Sequence, residues 1–113
     1  MGYNLHITRA EHWLDADGEP IGRQEWNAYA SGHPAMQHAG WIEWKDVGRE
    51  AVYDWPAGYE DRSSLSWRNG EVTVTGVYTD YIPGLVAIAA DLEANVVGDD
   101  GERYTSDGVV DAT

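Results

Sequence analysis

Residues 65–75 read LSWRNGEVTVT, two alternating runs joined by Asn69-Gly70. Asn-Gly supplies the two positive-φ positions of a type I′ turn, whose twist matches that of antiparallel strands, so the stretch predicts a tight hairpin. Centring the turn on 69–70 pairs Arg68 with Glu71, Trp67 with Val72, Ser66 with Thr73 and Leu65 with Val74. One face then carries Leu65, Trp67, Val72 and Val74, while the other is polar with an Arg68–Glu71 ion pair across it.

Working outward, WIEWKDVGREAVYDW (41–55) alternates on both sides of DVGR and predicts a second hairpin, with Ile42 and Trp44 on one face of its first strand. At the N-terminus Tyr3, Leu5 and Ile7 point one way and Asn4, His6 and Thr8 the other, the period of a half-buried strand. His6 and Thr8 are expected on its wet face, with Arg9 at its solvated end. DADGEP (15–20) is turn chemistry, and IGRQEWNAYASG (21–32) then predicts a helix. With Gly22 as N-cap, Glu25 falls at N3, Ile21 and Trp26 form a hydrophobic staple, and Gly32 stops the helix. A second helix is expected from an Asp80 N-cap, with Pro83 in its first turn, Ile82, Leu85, Ile88, Ala89 and Leu92 on its apolar face, and Asn95 as a left-handed stop. VVGDDGERY (96–104) predicts a terminal hairpin.

This order of elements with short connections implies an α+β fold, an antiparallel or mixed sheet of about five to seven strands with two helices packed on one face. Its 113 residues suit one domain, expected over 1–105, with 106–113 as a flexible tail. The rings available for a core are six Trp and seven Tyr with no Phe, so much of its volume carries a polar tip that wants a hydrogen-bond partner.

Twenty acidic residues against seven basic ones give a net charge of −13, which argues against nucleic acid and anionic membrane surfaces as partners. That charge serves solubility, as in a salty host, or steers a cationic partner. With no Cys there is no disulfide framework and no thiolate chemistry. No basic segment leads into an apolar one at the N-terminus and no apolar run reaches spanning length, so a cytoplasmic protein is expected.

Candidate chemistry is sparse. Asp15, Asp17 and Glu19 alternate as in the start of a calcium loop, but the twelfth loop position is Trp26 and a strand precedes it, so no metal site is implied. If Asp100-Gly101 is a two-residue turn, Asp99 and Glu102 face each other across it, which like charges disfavour unless a metal, a partner lysine or water lies between. A polar turn chosen for its backbone conformation is the plain alternative. His33 and His38 are five apart around a Pro-containing loop and lack the spacing of paired ligands on a helix. His6, with Thr8 beside it, is the candidate catalytic group, an imidazole a strand could position as a general base. No nucleophile elbow, phosphate loop or second catalytic partner accompanies it, and no cofactor is implied. Aromatic and acidic residues interleave in the loop from Trp55 through Tyr59 and Glu60 to Asp61, the composition of an interface hot spot.

MGYNLHITR (1–9) resembles the opening of a family of small bacterial proteins that begin Met-x-Tyr-Asp-Leu-His-Ile-Thr-Arg, with Asn4 in place of Asp. The likeness extends through RQEWNAYA (23–30) and returns at DLEANVVGDDGERY (91–104), covering roughly the first thirty and last forty residues. By analogy it implies a compact α+β protein of the kind that includes toxin-neutralising immunity proteins. Asn4 removes the carboxylate that could have partnered His6, which weakens a catalytic role. The expected function is therefore a small acidic binding protein, most concretely an immunity-type protein that occludes a basic toxin through Trp55, Tyr59, Glu60, Asp61, Asp99, Asp100 and Glu102. The alternatives are a small enzyme or small-molecule binder using the His6/Thr8 face and a Trp-lined pocket, and a structural partner that binds through an uncovered sheet edge.

Overall fold

The computed structural model describes residues 4–10, 18–45, 48–105 and 108–110. It contains one antiparallel sheet of strands β1 (Leu5–Thr8), β2 (Gln37–Trp44), β3 (Gly48–Trp55), β4 (Ser63–Arg68), β5 (Glu71–Thr75), β6 (Asn95–Gly98), β7 (Arg103–Thr105) and β8 (Gly108–Val110). The spatial order is β2-β3-β4-β5-β1-β6-β7-β8. Helix α1 (Arg23–Ser31) lies between β1 and β2, and α2 (Ile82–Asp91) between β5 and β6. This is the α+β architecture expected from the order of elements. One strand-level feature differs from the expectation, since β8 falls within the stretch expected to be a tail; β1 sits inside the sheet between β5 and β6.

The Asn69-Gly70 hairpin has the register its turn dictates, with Arg68 opposite Glu71 and Leu65 opposite Val74. Both turn residues have positive φ, 53° and 90°. From this hairpin a row of paired residues runs across the sheet, Tyr53, Leu65, Val74, Leu5 and Gly98. Leu5, Ile7, Tyr53, Leu65, Val72, Val74 and Val96 share one face by this register and enter a single core cluster with Trp26 and Ala30 of α1 and Leu85, Ile88 and Ala89 of α2. Each fully buried large apolar side chain among them contributes about 2–3 kcal/mol relative to exposure.

α1 begins at Gly22, whose N–H donates to Glu25 Oε1 at 3.2 Å, the half of a capping box that a glycine can make. Ile21 and Trp26 are both fully buried, as a staple requires. α2 starts later than an Asp80 cap would place it: a 3-10 turn covers Thr79–Tyr81 and Tyr81 is the N-cap. Its end also differs, because Glu93, with φ 55°, takes the left-handed position. The Glu93 and Ala94 N–H groups donate to the Ala90 and Ala89 carbonyls, closing a Schellman motif on a glutamate. Asn95, expected to stop the helix, is instead paired with Thr8 in β6.

Gly84 is required by packing: a Cβ there would lie 2.6 Å from the Trp55 ring, which is buried against α2. In β2 a bulge between His38 and Gly40 breaks the alternation, so His38 and Trp41 both lie opposite core-facing positions, Tyr53 and Ala51. The face expected from Ile42 and Trp44 is therefore the one opposite Glu50 and Gly48.

Arg9, expected at a wet strand end, is a tie between elements. Its Nε donates to the Leu92 carbonyl at the end of α2, its Nη1 to the Pro20 carbonyl and its Nη2 to Glu25 Oε2, at 3.0, 3.0 and 2.5 Å. A guanidinium suits this place because the helix C-terminus carries partial negative charge. No helix among the described residues is long and apolar enough to cross a membrane.

Candidate functional site

The His6 neighbourhood overturns the expectation of a wet catalytic face. His6 is 5% exposed and Thr8 is fully buried, although both lie on the face opposite Leu5 and Ile7. An internal strand is screened from both sides, and here the neighbours supply acids. Glu71 Oε1 on β5 contacts His6 Nδ1, and Asp99 Oδ1, just beyond β6, lies 2.7 Å from His6 Nε2. With a carboxyl group at each ring nitrogen, the imidazolium is the form of His6 that can donate to both. Burial pushes the His6 pKa down, but the hydrogen bonds and negative charge of Glu71 and Asp99 outweigh it and hold the pKa above its ordinary 6.5. Burial likewise pushes Asp99 up, and the Asn4 N–H with His6 overrides it, leaving Asp99 below the ordinary carboxylate value.

This arrangement binds strands together and does not present a base. A general base needs a free lone pair within reach of a substrate, whereas this ring is enclosed and contacts a carboxylate at each nitrogen. Asn4 contributes its backbone N–H to Asp99 Oδ2 at 2.9 Å, so the bond does not depend on the side chain at position 4. Thr8 Oγ1 accepts the Ala10 N–H at 3.1 Å and closes the strand end.

The turn after β6 is also built differently from the expectation. The Gly101 N–H donates to the Gly98 carbonyl and the Gly98 N–H to the Glu102 carbonyl, with Gly101 at φ 89°. The loop is therefore Asp99-Asp100-Gly101, a type I turn followed by a left-handed residue, and Asp99 and Glu102 are not opposed across it. Asp99 turns to His6, and Glu102 Oε2 accepts the Tyr104 hydroxyl at 2.8 Å. Among the described residues no group of three or more His, Asp and Glu is placed to hold a metal ion. Asp15 and Asp17 of the acidic turn, Tyr3 and His12 lie outside the described residues.

The register gathers the rest of the expected surface. Because Tyr53, Leu65, Val74, Leu5 and Gly98 form one row, the segments just beyond them project from the same end of the sheet. These are the β3–β4 loop with Tyr59, Glu60 and Asp61, the β5–α2 connection with Tyr78 and Asp80, and the β6–β7 turn with Asp99 and Asp100. Tyr59 is 60% exposed and Tyr78 39%, and Glu60, Asp61, Asp80 and Asp100 are all exposed. Four strand spacings separate the first and last of these loops, about 19 Å, the reach of one partner surface. Trp55, expected to be an anchor here, is buried in the core and cannot serve as one. Tyr78 and Asp80 were missed because their placement depends on the sheet order, which no local pattern carries.

The β3–β4 loop is held in place. The Ala57 N–H donates to the Ala35 carbonyl at 2.6 Å, Arg62 Nη1 to the Tyr59 carbonyl at 2.9 Å, and the Tyr81 hydroxyl to the Asp61 carbonyl at 2.8 Å. Arg62 also pairs with Asp54 through Nε at 2.9 Å. Beside this loop lies an open groove of about 590 Å³ lined by Gln37, His38, Asp54, Tyr59, Glu60 and Arg62 among others. It is at the β2 edge, remote from His6, and so is not the pocket expected at the His6/Thr8 face.

Comparison of the chain with protein-family models, with curated proteins and with solved structures finds no match.

Proposed function

We propose that this chain is an acidic binding protein that recognises a basic protein partner through the loop end of its sheet, most concretely an immunity-type protein occluding a basic toxin. The observation that carries the reading is the collection of Tyr59, Glu60, Asp61, Asp80 and Asp100 at one end, with Tyr59 60% exposed on a loop pinned by backbone and side-chain hydrogen bonds. Exposed tyrosines supply affinity by filling pockets in a partner, and a pinned loop spares the entropy of ordering it on binding. The net charge of −13 raises the encounter rate with a cation and discourages anionic partners. The likeness of residues 1–9 to the small bacterial family belongs to the same proposal, as does a cytoplasmic site of action.

The alternative of a small enzyme at His6 requires a substrate to reach a ring that is 5% exposed and contacts two carboxylates, so the binding reading is preferred. Co-expression with the product of the neighbouring gene tests it. The expected result is a product that is toxic alone, rescued by this chain and co-purified with it. A product that is harmless alone and does not co-purify contradicts the reading.

A further inference from the structure

β2 is an edge strand, and its outer side is unpaired among the described residues. At about 3.3 Å per residue its eight residues offer roughly 26 Å of unused backbone donors and acceptors. Soluble proteins usually blunt such an edge with proline, lysine, a bulge or a short strand. Here the sequence is QHAGWIEW, which holds no proline, no lysine and a single charge, Glu43. The bulge between His38 and Gly40 is its one interruption. Trp41, 53% exposed, meets the His38 ring edge-on with centroids 4.8 Å apart and carries the Arg49 guanidinium 4.4 Å from its centroid. The groove described above opens at the Gln37 end of this same edge.

We infer that β2 accepts an extended, basic segment of the partner as an added strand, with one cationic side chain of that segment lodged in the groove against Glu60. This inference rests on the reading of the chain as a binder of a basic partner. Strand addition draws affinity from backbone hydrogen bonds and specificity from pockets beside the edge, and both parts are present here. The charge of the occupant follows from the groove. Arg62 is engaged by Asp54 and by the Tyr59 carbonyl, while Glu60 makes no ion pair among the described residues. A second copy of the chain is the poorer occupant, since it would bring another net charge of −13 to the same acidic surface.

The test uses three synthetic eight-residue peptides: one alternating lysine with valine, the same peptide N-methylated at alternate amides so that it cannot pair, and a glutamate-for-lysine version. Affinity is measured by titration, and amide hydrogen exchange is followed along the chain. The lysine peptide is expected to bind at least tenfold more tightly than the other two and to slow exchange within residues 37–44, and Glu60→Lys is expected to weaken it at least tenfold. Equal binding of the methylated peptide, or protection located away from 37–44, overturns strand addition while leaving a basic partner intact. Failure of the lysine peptide to bind overturns strand addition too, and the basic-partner reading then stands or falls on the co-purification result alone.

Discussion

Replacing His6 by alanine removes the cation that Glu71 and Asp99 share. Glu71 is nearly as buried as the ring, so its carboxylate is left without its charge partner, while Asp99, about a third exposed, recovers some solvation. Removing one member of a buried pair costs about 3–5 kcal/mol, most of it the penalty of the charge left behind. A domain of this size holds about 5–15 kcal/mol in total, so His6→Ala is expected to lose a large fraction of its stability. Urea denaturation followed by tryptophan fluorescence measures this directly.

The pH dependence supplies a second signature. The folded pKa of His6 lies above its unfolded value, so the stabilisation is fully present below about 6.5 and is lost as pH rises through the folded pKa. The wild type is expected to weaken with rising pH above that point, with a limiting slope of about 1.4 kcal/mol per pH unit for the one proton involved. His6→Ala should lose that slope. A triple variant, His6→Leu with Glu71→Gln and Asp99→Asn, removes all three charges together and is expected to recover most of the lost stability. A cost below about 1 kcal/mol for His6→Ala, with the slope retained, would refute the shared-cation account.

Other perturbations test the remaining parts of the structure. Gly84→Ala drives a methyl to within 2.6 Å of the Trp55 ring and is expected to cost about 1–3 kcal/mol by overpacking, read as a lowered urea midpoint with unchanged slope. Arg23→Ala strands the buried Glu50 carboxylate, which Arg23 Nε holds at 2.6 Å; because Arg23 is half exposed the expected cost is about 1–3 kcal/mol, and Glu50→Gln in the same chain should restore part of it.

What was legible in the sequence was local. Asn69-Gly70 set both a turn and a register because two residues with positive φ leave one way to pair the flanking strands. Gly22 and Glu25 marked the start of α1 because a capping box needs only four consecutive residues. The illegible parts were distant contacts. His6 looked solvated because alternation reports that two faces differ and not what covers the second one, and its partners lie 65 and 93 residues away. Asp99 looked opposed to Glu102 because a two-residue and a three-residue turn share the same glycine. Trp55 looked like an exposed anchor because its burial depends on the space left by Gly84, some thirty residues on. The candidate surface was half visible: Tyr59, Glu60 and Asp61 stood out by composition, while Tyr78 and Asp80 joined them only through the position of β1 and β5 in the sheet.

The most direct test of the central claim is the affinity of the co-purified basic partner for the wild type and for Tyr59→Ala/Glu60→Lys, both confirmed as folded by their urea midpoints. An interface anchor is worth about 2 kcal/mol, so the double variant is expected to bind at least 30-fold more weakly, with a slower association that responds less to salt. Equal affinity and equal salt dependence in the two proteins would contradict the assignment of the loop end as the binding surface.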